Sequence, residues 1–169
     1  MQLAFAFDVA RCSGCMACIV ACLDQNDLPD TAHAFRHVSR FENPGTTPPT
    51  LSFLSLSCLH CGDAPCVTSC PTGSLQKRER DGIVTVNRDL CVGCHSCVLA
   101  CPFGAPQFPE DRTMAKCDFC VERIEAGLEP ACVRVCPTRA LRFGPLEELT
   151  RETARKASLS ILKSLSSGR

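Results

Sequence analysis

The sequence predicts an α+β fold of short strands and short helices, arranged as two tandem halves around a core that side chains alone do not fill. Three observations lead there. Sixteen cysteines fall into four groups of four, all variations on one spacing. Trp and Tyr are absent and only nine Phe occur in 169 residues, too little aromatic bulk for a conventional core. Between the second and third cysteine groups, Asp81-Gly82 followed by Ile83, Val84 and Val86 signals a hairpin that repeats the strand, loop, helix and turn pattern.

The cysteine groups carry the chemistry. Cys91, Cys94 and Cys97 step by three, and Cys101-Pro102 follows after three more residues. This is the bacterial ferredoxin spacing for a 4Fe-4S cluster. A tight loop wraps three thiolates around one face of a cubane, while the fourth, on the helix that follows, points the other way and ligates a neighbouring cluster. One group therefore needs a partner. Cys12, Cys15, Cys18 and Cys22 repeat the spacing with Leu23 in place of proline. Cys58, Cys61, Cys66 and Cys70-Pro71 repeat it with two extra residues before the third cysteine, and Cys117, Cys120, Cys132 and Cys136-Pro137 with a longer insert there. Spacing alone shows only that the fourth cysteines cross over.

In chain order, Gln2 to Val9 alternates well enough for a strand leading into the first group, and Ala17 to Leu23 reads as a short helix with Cys18 and Cys22 on one face. Asp24 to Thr50 is the least regular stretch, with turn signals at Asn43-Pro44-Gly45 and Pro48-Pro49. His33 and His37 stand there at helical spacing; lacking a cysteine or carboxylate partner at matching spacing, they read as a solvated face rather than a metal site. Leu51 to Ser57 predicts a strand. After Pro102 the chain is extended through Phe103 to Pro109, Val121 to Ala126 is a helical turn or two ended by Gly127, Ala131 to Val135 is a short helix, and Ala140 to Phe143 a closing strand. Pro145 and two acidic residues open a final helix. Residues 158–169 extend it or form a tail, with partner docking as the sharper reading.

Composition excludes other classes. With 18 basic and 18 acidic side chains there is no electrostatic footprint for nucleic acid. No signal-peptide core and no apolar run of bilayer length is found, which places the protein in the cytoplasm, with no direct membrane insertion. Without an export signal the disulfide reading loses its basis. Zinc is the remaining rival, but a third cysteine three residues after the second has no role in a mononuclear tetrahedral site. No nucleophile elbow, phosphate loop or dinucleotide fingerprint occurs outside the cysteines. The expected cofactors are four 4Fe-4S clusters, with all sixteen cysteines as iron ligands and catalysis in a partner. Arg11, His60, His95, Lys116 and Arg139 flank ligands and are candidate tuners of potential, a plain surface or spacer role being the commoner alternative.

Residues 5 to about 150 resemble the four-cluster electron-transfer subunits of molybdenum and tungsten pterin oxidoreductases, the dimethyl sulfoxide reductase B-subunit family. The likeness rests on Asp8-Val-Ala-Arg-Cys12-Ser-Gly-Cys15-Met-Ala-Cys18, Cys58-Leu-His-Cys61-Gly-Asp-Ala-Pro-Cys66, Asp81-Gly-Ile-Val through Cys101-Pro-Phe-Gly-Ala-Pro, and Lys116-Cys117-Asp-Phe-Cys120 through Cys136-Pro-Thr-Arg-Ala-Leu. The compact size is similar to that of the small polyferredoxin-like subunit of tungsten aldehyde oxidoreductases. The resemblance implies pairing of the first motif with the fourth and the second with the third. One cluster then takes Cys12, Cys15, Cys18 and Cys136; the next takes Cys22, Cys117, Cys120 and Cys132. The other pair takes Cys58, Cys61, Cys66 and Cys101, and Cys70, Cys91, Cys94 and Cys97.

On that pairing, residues 1–23 with 103–150 form an outer ferredoxin-like unit, 51–102 an inner one, 24–50 an insert and 151–169 a C-terminal helix or tail. The implied function is relay of single electrons between a molybdenum- or tungsten-pterin catalytic subunit, such as an aldehyde oxidoreductase, and a further redox subunit or carrier: a flavoprotein, a ferredoxin or a quinone-linked partner. A free-standing polyferredoxin is the alternative. Clusters near both ends also suggest end-to-end self-association.

Overall fold

The computed structural model describes residues 1–29, 33–45, 47, 50–110 and 112–167, with side chains to residue 165. The described residues contain three two-stranded antiparallel sheets, six α-helices and two single-turn 3-10 helices. The first sheet joins the two ends of the sequence: β1 (Leu3–Phe7) pairs with β6 (Leu141–Pro145), placing Phe5 opposite Phe143. The hairpin of β4 (Leu75–Lys77) and β5 (Val84–Val86) forms where the Asp81-Gly82 turn predicts it, and Gly82 adopts the left-handed conformation (φ +71) that the turn requires.

The third sheet departs from the sequence reading. Residues 36–43, taken as irregular, form β2 (Arg36–Asn43), paired along its whole length with β3 (Thr50–Ser57). The reason is tertiary. The segment Arg-His-Val-Ser-Arg-Phe-Glu-Asn has no apolar alternation of its own and is held by backbone bonds to β3 and by packing of Val38 beside Cys18 and Leu141. His37 is therefore an exposed residue in a strand, and the helical spacing to His33 does not exist. Pro48-Pro49 lies outside the described residues.

The helices are short because of what ends them. α2 (Pro65–Thr68), α3 (Ser96–Ala100) and α5 (Ala131–Arg134) each stop just before a Cys-Pro pair, since a residue before proline is pushed out of the helical region. The residue three after each of those cysteines turns left-handed (Gly73, Gly104 and Arg139), and its N–H bonds the cysteine carbonyl at 3.5, 3.4 and 3.1 Å. With Leu23 in place of proline, α1 (Ala17–Gln25) runs on past Cys22. α4 (Val121–Glu125) ends at Gly127 (φ +73), and α6 (Leu146–Ser167) follows β6 directly.

Three apolar clusters form the interior. One packs Leu75, Val84 and Met114 among the cysteines of the β4–β5 half; another packs Leu141 with Cys18 and Cys132 beside α1 and α5. The third joins the halves: Leu3, Ile83 and Phe119, with Phe5 stacked on Phe119 at 4.1 Å between ring centres. Polar bonds close the same joint. Leu3 N donates to Asp81 O at 2.8 Å, and Lys77 Nζ reaches Gln2 Oε1, Cys61 O and Gly82 O at 2.8, 2.7 and 3.1 Å.

Candidate metal centres

Each cysteine loop is bent by the same device. The residue immediately before the second cysteine is left-handed in all four groups: Gly14 (φ +69), His60 (φ +46), Gly93 (φ +65) and Phe119 (φ +69). In the first and third groups the residue after that cysteine, Met16 or His95, is left-handed too and starts the helix that carries the next ligands. Glycine meets the bend without strain. Here it also meets a packing limit: a Cβ on Gly14 would stand 2.4 Å from the Phe53 ring, and one on Gly93 2.8 Å from the Arg112 carbonyl. His60 and Phe119 accept the strained conformation because their side chains are wholly buried against each other, edge to face at 5.2 Å, at the joint between the halves.

The loops bring the cysteines together across the sequence. One cavity is lined by Cys12, Cys15, Cys18 and Cys136, a second by Cys58, Cys61, Cys66 and Cys101, a third by Cys70, Cys91, Cys94 and Cys97. Of the remaining four, Cys22, Cys120 and Cys132 lie within electrostatic reach of one another, and Cys117 is partly buried. None of the three cavities has a carboxylate in its wall. Among the described residues no three His, Cys, Asp or Glu side chains close to the spacing of a single metal ion. Four cysteines around one cavity suit a cubane, in which each thiolate takes its own iron.

Comparison with known proteins gives the same reading. Residues 49–146 and 11–74 each match a 4Fe-4S dicluster domain family. Over 170 residues the sequence is 41% identical to the B subunit of anaerobic dimethyl sulfoxide reductase from Escherichia coli K12, covering 95% of this protein and 82% of that one. The protein belongs to the 4Fe-4S dicluster family. It is also 43% identical over 150 residues to the thiosulfate reductase electron transfer subunit PhsB of Salmonella typhi (87% of this protein, 78% of that one). Against protein NrfC of Escherichia coli K12 it is 44% identical over 144 residues (83% and 64%). With two dicluster domains it carries four 4Fe-4S clusters and is an electron-transfer subunit rather than an enzyme in its own right.

The surroundings of the dicluster cysteines differ in ways that bear on potential. Burial pushes the Cys117 thiol up to about 12 and the Cys120 thiol up to about 11, so without iron both are neutral. Burial likewise raises Cys18, Cys22, Cys61, Cys66 and Cys97. Cys94 is lowered by the Ser96 hydroxyl, with Oγ at 3.5 Å, and by the Ser96 N–H. At Cys70 and Cys136 burial opposes ionisation but is outweighed by hydrogen bonds: the Leu75 N–H with the Thr72 hydroxyl in one case, the Leu141 N–H with the Thr138 hydroxyl in the other. The two threonines stand 3.7 and 3.8 Å from the sulfurs, at the same place in two Cys-Pro-Thr sequences.

Of the five candidate tuners, Arg11 and Arg139 are exposed. His95 stacks on Phe108 at 3.9 Å in the wall of the third cavity. Lys116 is buried in the wall of the second, with Nζ donating to Val84 O and, at 2.9 Å, to Cys117 O. His60 is a core residue, not a spacer. Its Nδ1 accepts from Val84 N at 2.9 Å, and burial, with Lys116 and Lys77 nearby, holds the ring neutral, well below the usual imidazole range. Arg36 escaped the sequence reading altogether. It is 3% exposed, donates to Ser55 Oγ at 3.1 Å and Ser57 Oγ at 2.8 Å, and lies over the Phe5 ring at 4.8 Å. The missing signal was β2 itself: without that strand nothing directs residue 36 inward.

Proposed function

We propose that the protein relays single electrons between the catalytic subunit of a molybdenum- or tungsten-pterin oxidoreductase and a second redox partner. The clusters are held by Cys12, Cys15, Cys18 and Cys136; by Cys22, Cys117, Cys120 and Cys132; by Cys58, Cys61, Cys66 and Cys101; and by Cys70, Cys91, Cys94 and Cys97. Bound clusters supply one-electron storage, and the protein supplies the order and the insulation. The observation that carries the reading is the continuity of ligands across the sets. Cys18 is in electrostatic reach of Cys132, Cys117 of Cys58, and Cys97 of Cys66. That makes one row running through both halves. Its two end sets each contain an exposed cysteine, Cys15 at one end and Cys94 at the other, where a partner can approach.

The names of the relatives are those of reductases, which favours a reductase as partner ahead of the aldehyde oxidoreductase suggested by size. No described helix is long and apolar enough to cross a membrane. Anaerobic affinity purification from the native host, with mass spectrometry and metal analysis, tests the reading. A stoichiometric large subunit carrying molybdenum or tungsten is expected. Recovery of the protein alone with about sixteen irons would mean a free-standing polyferredoxin instead.

A further inference from the structure

Arg36 is a charge without an ordinary explanation. The guanidinium is buried, and among the described residues no carboxylate pairs with it; its polar contacts are the hydroxyls of Ser55 and Ser57, and its Nε has no hydrogen-bond partner. A buried, unpaired cation is strongly destabilising, and two serines do not neutralise it. Beyond them lie cysteine sulfurs. Ser55 Oγ, which takes the bond from Nη1, is itself 3.5 Å from Cys18 Sγ. The backbone N–H groups of Phe35 and Arg36 oppose the rise that burial imposes on the Cys22 thiol. The Arg36 charge also acts on Cys18, Cys22 and Cys117.

We propose that Arg36 is the buried counter-cation of the cluster pair held by the first and fourth motifs, and that its fixed charge makes both clusters easier to reduce. The inference rests on the ligand sets above. Each reduction adds one electron, hence one negative charge, to a cluster already carrying anionic thiolates. A cation fixed in a low-dielectric interior stabilises that added charge more than the oxidised state, and so raises the potential. Arginine suits the position because it stays protonated when buried, and its planar fork stacks on Phe5 while reaching both serines. Lys116, beside Cys117 and Cys66, holds the corresponding place at the junction of the halves. Arg36 and Lys116 thus lie at two of the three steps of the row.

The test is a potentiometric titration followed by electron paramagnetic resonance on the intact protein, comparing Arg36→Met, Arg36→Gln and Arg36→Lys. In the neutral variants two of the four midpoint potentials should fall, each by a tenfold or larger change in the reduction equilibrium, about 59 mV for one electron. The other two should stay, and Arg36→Lys should restore most of the shift. Neutral variants that keep four clusters at unchanged potentials overturn the proposal, as does a lysine variant displaced as far as the neutral ones. If both neutral variants lose the first pair of clusters while Arg36→Lys keeps it, the charge requirement is upheld in a stronger form; loss in all three assigns Arg36 a packing role and overturns it. The ligand sets are tested separately. Cys15→Ser and Cys136→Ser must alter the same signal, and failure there would refute the sets whatever the Arg36 variants do.

Discussion

At the scale of single residues the backbone bend before the second cysteine of each group is the sharpest constraint. Gly93 needs φ +65 and has the Arg112 carbonyl 2.8 Å from where a Cβ would sit. Gly93→Ala therefore combines left-handed strain, about 1–2 kcal/mol, with a clash against backbone that has no flexible end to move. The variant should lose stability by about 2 kcal/mol or more, and the signal of the cluster at Cys91, Cys94 and Cys97 should be depleted first. Iron content and the resonance spectrum of the purified variant measure this; full loading with unchanged stability would refute it. The candidate ligands stand out in the sequence because a cubane dictates their spacing, which needs no tertiary information. His60 was not, since a histidine inside a Cys-x-x-Cys loop gives no sign that its ring turns inward onto Phe119. Arg36 was hidden for a deeper reason: the strand that buries it exists only through its pairing with β3.

At the scale of elements, the sequence located most strands and helices but not what they pair with. β1 and β6 were each expected, and their union, which brings Phe5 opposite Phe143, follows from the fold around the cysteines. The missing proline after Cys22 translates into a longer α1, a difference that local rules predict. α6 separates into two parts. Its first turns are held by buried Leu149, by Arg142 with Glu152 and by Lys156 near Asp8 at 3.9 Å. Beyond Ala157, Leu159, Ile161, Leu162 and Leu165 are all exposed. Deleting residues 158–169 should leave four clusters in place and change stability by less than about 0.5 kcal/mol, as surface changes do. Loss of iron or a clear fall in the melting temperature would show that the terminal turns pack on the body after all.

At the scale of the whole molecule, the interior is organised around the cysteines as much as around apolar side chains. Cysteines belong to two of the three apolar clusters, and the largest fully buried side chains, Phe119 and Ile83, sit at the joint between halves rather than in a central core. Burial also keeps the Cys117 and Cys120 thiols neutral in the absence of metal, so the charge that thiolate ligation places there is sustained by iron. Removing iron with a chelator under reducing conditions should unfold most of the protein, visible as loss of the far-ultraviolet dichroism. A native-like spectrum in the iron-free protein would contradict a core that depends on its clusters. The tandem α+β arrangement was readable from the repeated motifs; how the halves join, through Gln2, Lys77, Ile83 and Phe119, was not, because these residues meet only in the folded state.

A single row of four clusters with an exposed ligand at either end is read out by stepwise reduction of the intact protein under paramagnetic resonance. Such a row takes up about four electrons per molecule, one for each 4Fe-4S cluster, and each signal changes shape as its neighbour in the row becomes reduced. Fewer than four electrons, or a spectrum that remains the plain sum of non-interacting clusters at full reduction, would contradict it.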